Sequence, residues 1–237
     1  MYNLFKNMSK KINSSTERDL SNVGEILSKS EQFIDKYQKQ IIFGISAIVI
    51  IVVTVLAVKH LYLAPKEREA EAAIYKGEQY FANSQWDLAL YGDSVEFDGF
   101  EYIIDNFSFT KTANLANAYA GICYYRKGEF EKALDHLKKF SVNDKMISPT
   151  VTGLTGDCYV DMGKIKEGAG YFMKAASKAN DNLISPIYLK KAGIAYENLK
   201  NYPKAIEVYT SIKDKYPNSQ EAGDIQKYID RAELLSK

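Results

Sequence analysis

The side chains best suited to nucleophilic, redox or metal chemistry are few in this 237-residue chain: His60, His136, Cys123 and Cys158. A metal site or an activated nucleophile needs such groups in sets, within hydrogen-bonding or ligand distance of one another. Here His60 borders an apolar run, His136 lies on a helical stretch 76 residues further on, and no Cys-x-x-Cys pair occurs. Gly163, Gly168 and Gly170 could suggest a phosphate-binding loop, but no Lys-Ser or Lys-Thr follows them. They read as packing glycines. No catalytic residue, metal ligand or cofactor-binding residue is assigned, and the residues predict neither a cofactor nor a small-molecule substrate.

Composition excludes further classes. The net charge is +1, with seven basic and five acidic groups in residues 1–40 and 23 and 25 in residues 64–237. Neither part is basic enough for nucleic-acid binding. Two cysteines cannot build a disulfide scaffold, so a free, buried pair is expected.

Residues 41–58 are 18 in a row without a charge, and 13 of them are Ile, Val, Leu or Phe. At about 0.3 to 0.6 kcal/mol each, those side chains favour insertion by roughly 4 to 8 kcal/mol, and 18 helical residues span about 27 Å. Leu61–Leu63 can lengthen the span while Lys59 and His60 reach back to the headgroups, and Tyr37 and Tyr62 sit where interfacial aromatics belong. The run is too long, and begins too late, for a cleaved signal peptide. The sequence therefore predicts a tail over 1–27, disordered by its Asn, Ser and Lys content, then a juxtamembrane and transmembrane helix over 28–63 with Ser28 and Glu31 as its capping box. Charge does not orient it, because Lys29, Lys36 and Lys39 on one flank face Lys59, Lys66, Arg68 and Lys76 on the other.

Beyond Pro65 the chain repeats. Gly121, Tyr124, Gly128, Phe130, Ala133 and Leu137 stand at offsets 0, 3, 7, 9, 12 and 16. Gly156, Tyr159, Gly163, Ile165, Gly168 and Phe172 fall at the same offsets, as do Gly193, Tyr196, Lys200, Tyr202, Ala205 and Tyr209. Gly77, Tyr80, Ser84, Trp86 and Ala89 match the first five before the pattern lapses. Such spacing resembles the tetratricopeptide repeat, in which a small residue on helix A lets helix B cross closely. The resemblance implies an all-α fold, a solenoid of helix pairs over 66–237. Repeats are expected at about 70–110, 114–147, 149–182 and 186–219, the later ones opening on Ser148-Pro149 and Ser185-Pro186 as N-cap and first helical residue. A capping helix over 219–236 would bury Ala222, Ile225, Ile229 and Ala232. The glycines are 44, 35 and 37 residues apart, so repeat one carries an insert, placed at 91–100 by Gly92, Asp93, Asp98 and Gly99.

A repeat of this kind binds proteins through the helix A face. That face should present Ala118, Ile122 and Tyr125, then Gly153, Asp157 and Val160, then Lys190, Ile194 and Glu197. It is mixed and fairly apolar, suited to extended or helical apolar segments. The carboxylate clamp of chaperone-tail-binding members is absent, since Ile74 and Glu78 stand there. Tyr91, Phe97, Phe100 and Tyr102 of the insert form a second candidate surface, or else a cover for the first repeat; Trp86, at a core offset, does not.

A short tail, one span starting near residue 40, an Ala64-Pro65-Lys66-Glu67 step and a repeat domain of this length resemble the bacterial ancillary subunits of the SecYEG translocon, the YfgM-like group, in its Bacteroidetes-type form. The resemblance implies a single-pass inner-membrane protein with a cytoplasmic N-terminus and a periplasmic repeat domain. Its partners would be the translocon, a membrane-bound periplasmic folding factor and unfolded clients. A structural scaffold for envelope assembly or division, or a cytosol-facing receptor on an organelle membrane, would use the same features.

Overall fold

The computed structural model describes residues 36–237 apart from Asn143. The expected tail over 1–27 and the capping box at Ser28 and Glu31 lie outside the described residues. Among those described, every regular element is a helix. Contacts divide the chain after Leu61 into two units.

In the first unit, α1 is described over 36–57 and carries the apolar run. Helical backbone continues from Lys36 to Ala82, 47 residues, through a π-helical stretch at Val58–Leu63. Among the described residues none of its most apolar stretch is buried: Phe43, Ile48 and Ile51 are all exposed. A core helix of a water-soluble protein would be covered. Among the described residues one helix is, by length and composition, long and apolar enough to cross a membrane.

In the second unit the helices are α2 (Ala64–Ala82), α3 (Trp86–Tyr91), α4 (Phe100–Asn106), α5 (Lys111–Arg126), α6 (Phe130–Lys139), α7 (Ile147–Asp161), α8 (Ile165–Ala179), α9 (Ile184–Asn198), α10 (Tyr202–Lys215) and α11 (Ile225–Leu235). From α5 to α11 each packs on its neighbours in the chain, while α2, α5, α7 and α9 also touch in series. Two apolar cores result, one centred on Leu90, Phe100, Tyr124 and Leu137, the other on Phe172, Val208, Tyr209 and Ile229.

The turns within the pairs are one device used four times. Ser84, Gly128, Gly163 and Lys200 have φ of 58°, 78°, 77° and 56°. In each turn the N–H of that residue donates to the carbonyl three residues back (Phe81, Tyr125, Val160, Glu197), and the next N–H donates to the carbonyl five back (Tyr80, Tyr124, Tyr159, Tyr196), at 2.7 to 3.0 Å. This is the Schellman termination, which satisfies the carbonyls a helix end leaves open and needs a left-handed residue. Glycine supplies it freely at 128 and 163; serine and lysine adopt it at a cost.

Glycine at offset 0 serves close approach. A Cβ on Gly121 would stand 2.6 Å from Leu137, one on Gly156 2.7 Å from Phe172, and one on Gly193 2.2 Å from Tyr209. In repeat one the residue at offset 16 is Asp93, and the same place over Gly77 is taken by Phe97 and Phe100, 2.4 and 2.6 Å from such a Cβ. The insert reaches that place through a loop over 92–99, entered at Gly92 (φ 84°) and left at Gly99 (φ 99°). Asp93 organises it: its carboxylate accepts the N–H groups of Val95, Glu96 and Phe97 and the hydroxyl of Tyr80.

Two local expectations need correction. Helices α7 and α9 begin at Ile147 and Ile184, one residue before the Ser-Pro pairs, and their first N–H groups are capped by Asp144 and Asp181. Ser148 and Ser185 are instead buried, and the Ser185 hydroxyl donates to the Ala176 carbonyl. The C-terminal segment is also not one helix: a 3-10 turn at Glu221–Gly223 precedes α11, with the break at Asp224, whose carboxylate is held by Lys190 and Lys227.

Candidate functional site

The face formed by α5, α7 and α9 holds a cavity of about 230 Å³ lined by Ile122, Tyr125, Arg126, Thr150, Leu154, Asp157 and Tyr188. Three of the nine groove residues named from the sequence, Ile122, Tyr125 and Asp157, meet there. Gly153 makes room for one of the lining rings: a Cβ on it would lie 2.0 Å from the Tyr188 ring, so the absence of a side chain lets that ring lie against α7. The Tyr188 ring in turn stacks near Phe172, with centroids 6.4 Å apart.

The cavity's carboxylate is already partnered. Asp157 receives both its contacts from Lys191, at 2.9 and 2.8 Å, and Lys191 lies 5.5 and 5.8 Å from the Phe172 and Tyr188 rings. Burial holds the Asp157 carboxyl above its usual range in spite of that lysine. Burial, with the Asp161 carboxylate beside it, pushes the Tyr125 phenol up to about 12. The walls are aliphatic and aromatic, and exposed Arg126 stands at the rim. Such a surface suits an apolar side chain of a partner, with charge at its edge.

The other groove residues are placed differently. Ala118 is buried. Val160 turns inward, its Cγ2 2.5 Å from where a Cβ on Gly168 would be. Lys190 and Glu197 are taken by the C-terminal segment, through Asp224 at 2.7 Å and Arg231 at 2.7 Å, and Lys190 lies 4.6 Å over the Tyr228 ring. Ile194 is exposed. Lys190 and Glu197 are therefore held by the C-terminal segment rather than free on the α9 face. Leu154, Thr150, Arg126 and Tyr188 were missed; the pairing of a glycine at 153 with a tyrosine at 188 was the available signal.

The insert residues divide as well. Phe97 and Phe100, 4% and 0% exposed, belong to the core and are withdrawn as docking residues. The gap they fill above Gly77 decides this. Tyr91 and Tyr102 are exposed, though Tyr91 Oη is 3.2 Å from Tyr124 Oη. Trp86 packs edge-on against Phe81 at 5.6 Å.

Among the described residues no group of three His, Cys, Asp or Glu side chains could hold a metal ion. His136 stacks on Tyr124, and its ring nitrogens lie 3.2 Å from Asn117 Oδ1 and from Glu101, a network tying α4 to α5 and α6. Cys123 and Cys158 are free and buried, and burial pushes both thiols up to about 12, out of the reactive range. A larger cavity, about 600 Å³, opens between α8 and α10 around Met173, Leu189 and Tyr216; none of the groove residues lines it.

Residues 189–219 match the tetratricopeptide repeat. The matched segment runs from Leu189 within α9 through its Schellman turn and α10 to the turn after it, and holds Gly193 and Tyr209. A search of the curated proteins finds no match to the chain. A tetratricopeptide repeat points to a protein-interaction scaffold rather than an enzyme, and the apolar helix fits association with a membrane.

Proposed function

We propose that this protein is a non-enzymatic, membrane-anchored scaffold that binds other proteins through the α5–α7–α9 face. In this reading the helix pairs form a solenoid of four repeats over 66–237, with α11 covering its last pair, and α1 spans the inner membrane once with the N-terminus in the cytoplasm. The repeat domain stands in the periplasm. There it acts as an ancillary subunit of a Sec-type translocon, receiving secreted or envelope proteins together with a membrane-bound folding factor.

One observation carries the binding reading: Ile122, Tyr125, Leu154 and Tyr188, drawn from three successive A helices, line one cavity whose carboxylate is already neutralised by Lys191. A mostly apolar cavity whose carboxylate is paired, with Arg126 at its rim, recognises apolar side chains of extended or helical segments. The translocon assignment rests on the organisation of the sequence alone. A photoreactive side chain at Ile122, with Lys166 on exposed α8 surface as control, tests both in intact cells. Capture of translocon subunits or emerging chains from Ile122 supports the proposal; capture of division or envelope-assembly proteins there replaces the translocon role with that of a structural scaffold. Equal capture from both positions refutes the groove.

A further inference from the structure

A cavity of about 170 Å³ between α6, α7 and α8 has charged side chains of one sign only in its wall: Lys138 on α6, and Lys174 and Lys178 on α8. Among the described residues none of these three forms a salt bridge. The cavity between α8 and α10, by contrast, holds both Glu207 and Lys215. Lys178 Nζ donates to two hydroxyls instead, Ser148 Oγ and Thr152 Oγ1, each at 3.0 Å. Burial, and then the Lys174 ammonium, hold Lys178 below the usual lysine range although Asp144 pulls the other way, as expected of a cation short of counter-charge. Lys138 lies 5.1 Å over the Tyr159 ring, whose hydroxyl holds it above the usual range, and Lys174 lies 5.8 Å over Tyr171.

The hydroxyls in the wall point to the same missing group. Thr152 and Thr155 donate to the Ser148 and Val151 carbonyls one turn back, at 2.7 and 2.9 Å. Ser148 is 7% exposed and its oxygen accepts the Lys178 ammonium, but its own proton has no acceptor among the described residues. Ser185, in the same place one repeat later, donates to the Ala176 carbonyl at 2.8 Å, so the position itself does not forbid a partner. A buried donor is costly to leave open unless something in the cavity accepts it. The backbone at the start of α7 is not free to bind an anion, because the Asp144 carboxylate already takes the Met146, Ile147 and Ser148 N–H groups.

We propose that this cavity binds a phosphate group, as the free ion or the end of a small monoester, held by Lys138, Lys174 and Lys178 with the Ser148 hydroxyl donating to one of its oxygens. Donors brought together from three helices need an acceptor with several oxygens and more than one charge. Phosphate offers both, whereas a carboxylate has two oxygens and a single charge. Asp144 and Asp135 are the carboxylates whose fields reach Lys178 and Lys138, and neither pairs with them. A water occupies about 30 Å³ of liquid, so the cavity has room for the group and part of its hydration. None of its lining residues belongs to the α5–α7–α9 cavity, so the site stands apart from the protein-binding face.

The test uses the full chain in detergent at constant ionic strength, titrated into inorganic phosphate or glycerol phosphate and followed by phosphorus NMR linewidth. Tm is read in parallel, with chloride and acetate as reference anions. Wild type should broaden the phosphorus signal saturably and gain Tm that neither reference anion gives, because the ligand ties three helices together. Lys178→Gln and Ser148→Ala should weaken binding several-fold, while Lys166→Gln, on exposed α8 surface, should not. Should either variant fail to fold, Lys174→Gln reads the same loss, since the exposed Lys174 ammonium makes no hydrogen bond among the described residues. Equal binding of both ligands supports a site that accepts a monoester, and binding of inorganic phosphate alone supports one for the free ion. No saturable broadening, a Tm gain matched by acetate, or unchanged affinity in folded Lys178→Gln and Lys174→Gln overturns the proposal.

Discussion

Gly193→Ala and Gly170→Ala are the same chemical change on neighbouring helices, and the packing gives them opposite signs. At 193 the added Cβ would lie 2.2, 2.6 and 2.7 Å from three ring carbons of Tyr209, where carbon atoms ordinarily rest about 3.5 to 4.0 Å apart. Tyr209 is fully buried, with the Tyr228 ring 5.5 Å beyond it, so the ring cannot step aside without moving α10 against α9 or α11. Overpacking of this kind costs about 1 to 3 kcal/mol, against about 1 kcal/mol that alanine returns through helix propensity. With three atoms of a fully buried ring inside contact distance the cost falls in the upper part of that range, about 2 to 3 kcal/mol, so the net loss is about 1 to 2 kcal/mol, or roughly 2 to 8 °C in Tm for a domain of this size. At 170 nothing lies within 4 Å of the added atom, so propensity acts alone and Tm rises by about 2 to 4 °C. Thermal unfolding of the full chain in detergent, followed by circular dichroism, reads both. Gly193→Ala as stable as wild type would refute the role given to the repeat glycines.

Other outcomes follow from the turns, the core and the loop. Lys200→Gly and Ser84→Gly, which relieve left-handed residues, should each stabilise by about 0.5 to 1 kcal/mol, whereas Gly128→Ala should cost about 1 kcal/mol or more although space is open around it; denaturant midpoints decide. Ala133→Glu forces a carboxylate into the fully buried contact between α5 and α6 and should cost about 3 kcal/mol or more, abolishing the cooperative melt while the chain still fractionates with membranes. Asp93 is held well below the usual carboxylate range, first by the Tyr80 hydroxyl and then by the backbone N–H groups of Val95 and Glu96. Its stabilising contribution is complete above its unfolded value of about 3.8 and declines as pH falls below that, so the difference in Tm between wild type and Asp93→Asn should shrink from about pH 5 to about pH 2. A constant difference would show that the loop does not depend on that charge.

What the sequence revealed, and what it hid, follows from the range of the interactions. Periodic glycines and aromatics announce helix pairs because each pair repeats one local solution, and the apolar run announces itself by length. Phe97 and Phe100 were ambiguous because their place over Gly77 is normally filled from offset 16, and Asp93 there gives no hint that residues four and seven further on take over. Ser148-Pro149 and Ser185-Pro186 imitate N-caps, yet an aspartate three residues before each helix offers the stronger acceptor. Lys190 and Glu197 looked available because their partners, Asp224 and Arg231, come from the last segment of the chain. Ile122, Tyr125 and Asp157 were readable because α5 and α7 pack on helices adjacent to them in the chain and on each other, so their partners lie within the same local pattern.

The most direct test of the whole account is Ile122→Glu, a change at the half-exposed lip of the cavity that leaves the core untouched. After identification of the protein captured at that position, copurification from detergent-solubilised membranes should fall at least several-fold for the variant, with Tm and membrane fractionation unchanged. Undiminished copurification by a folded, membrane-bound Ile122→Glu protein would contradict binding through the α5–α7–α9 face.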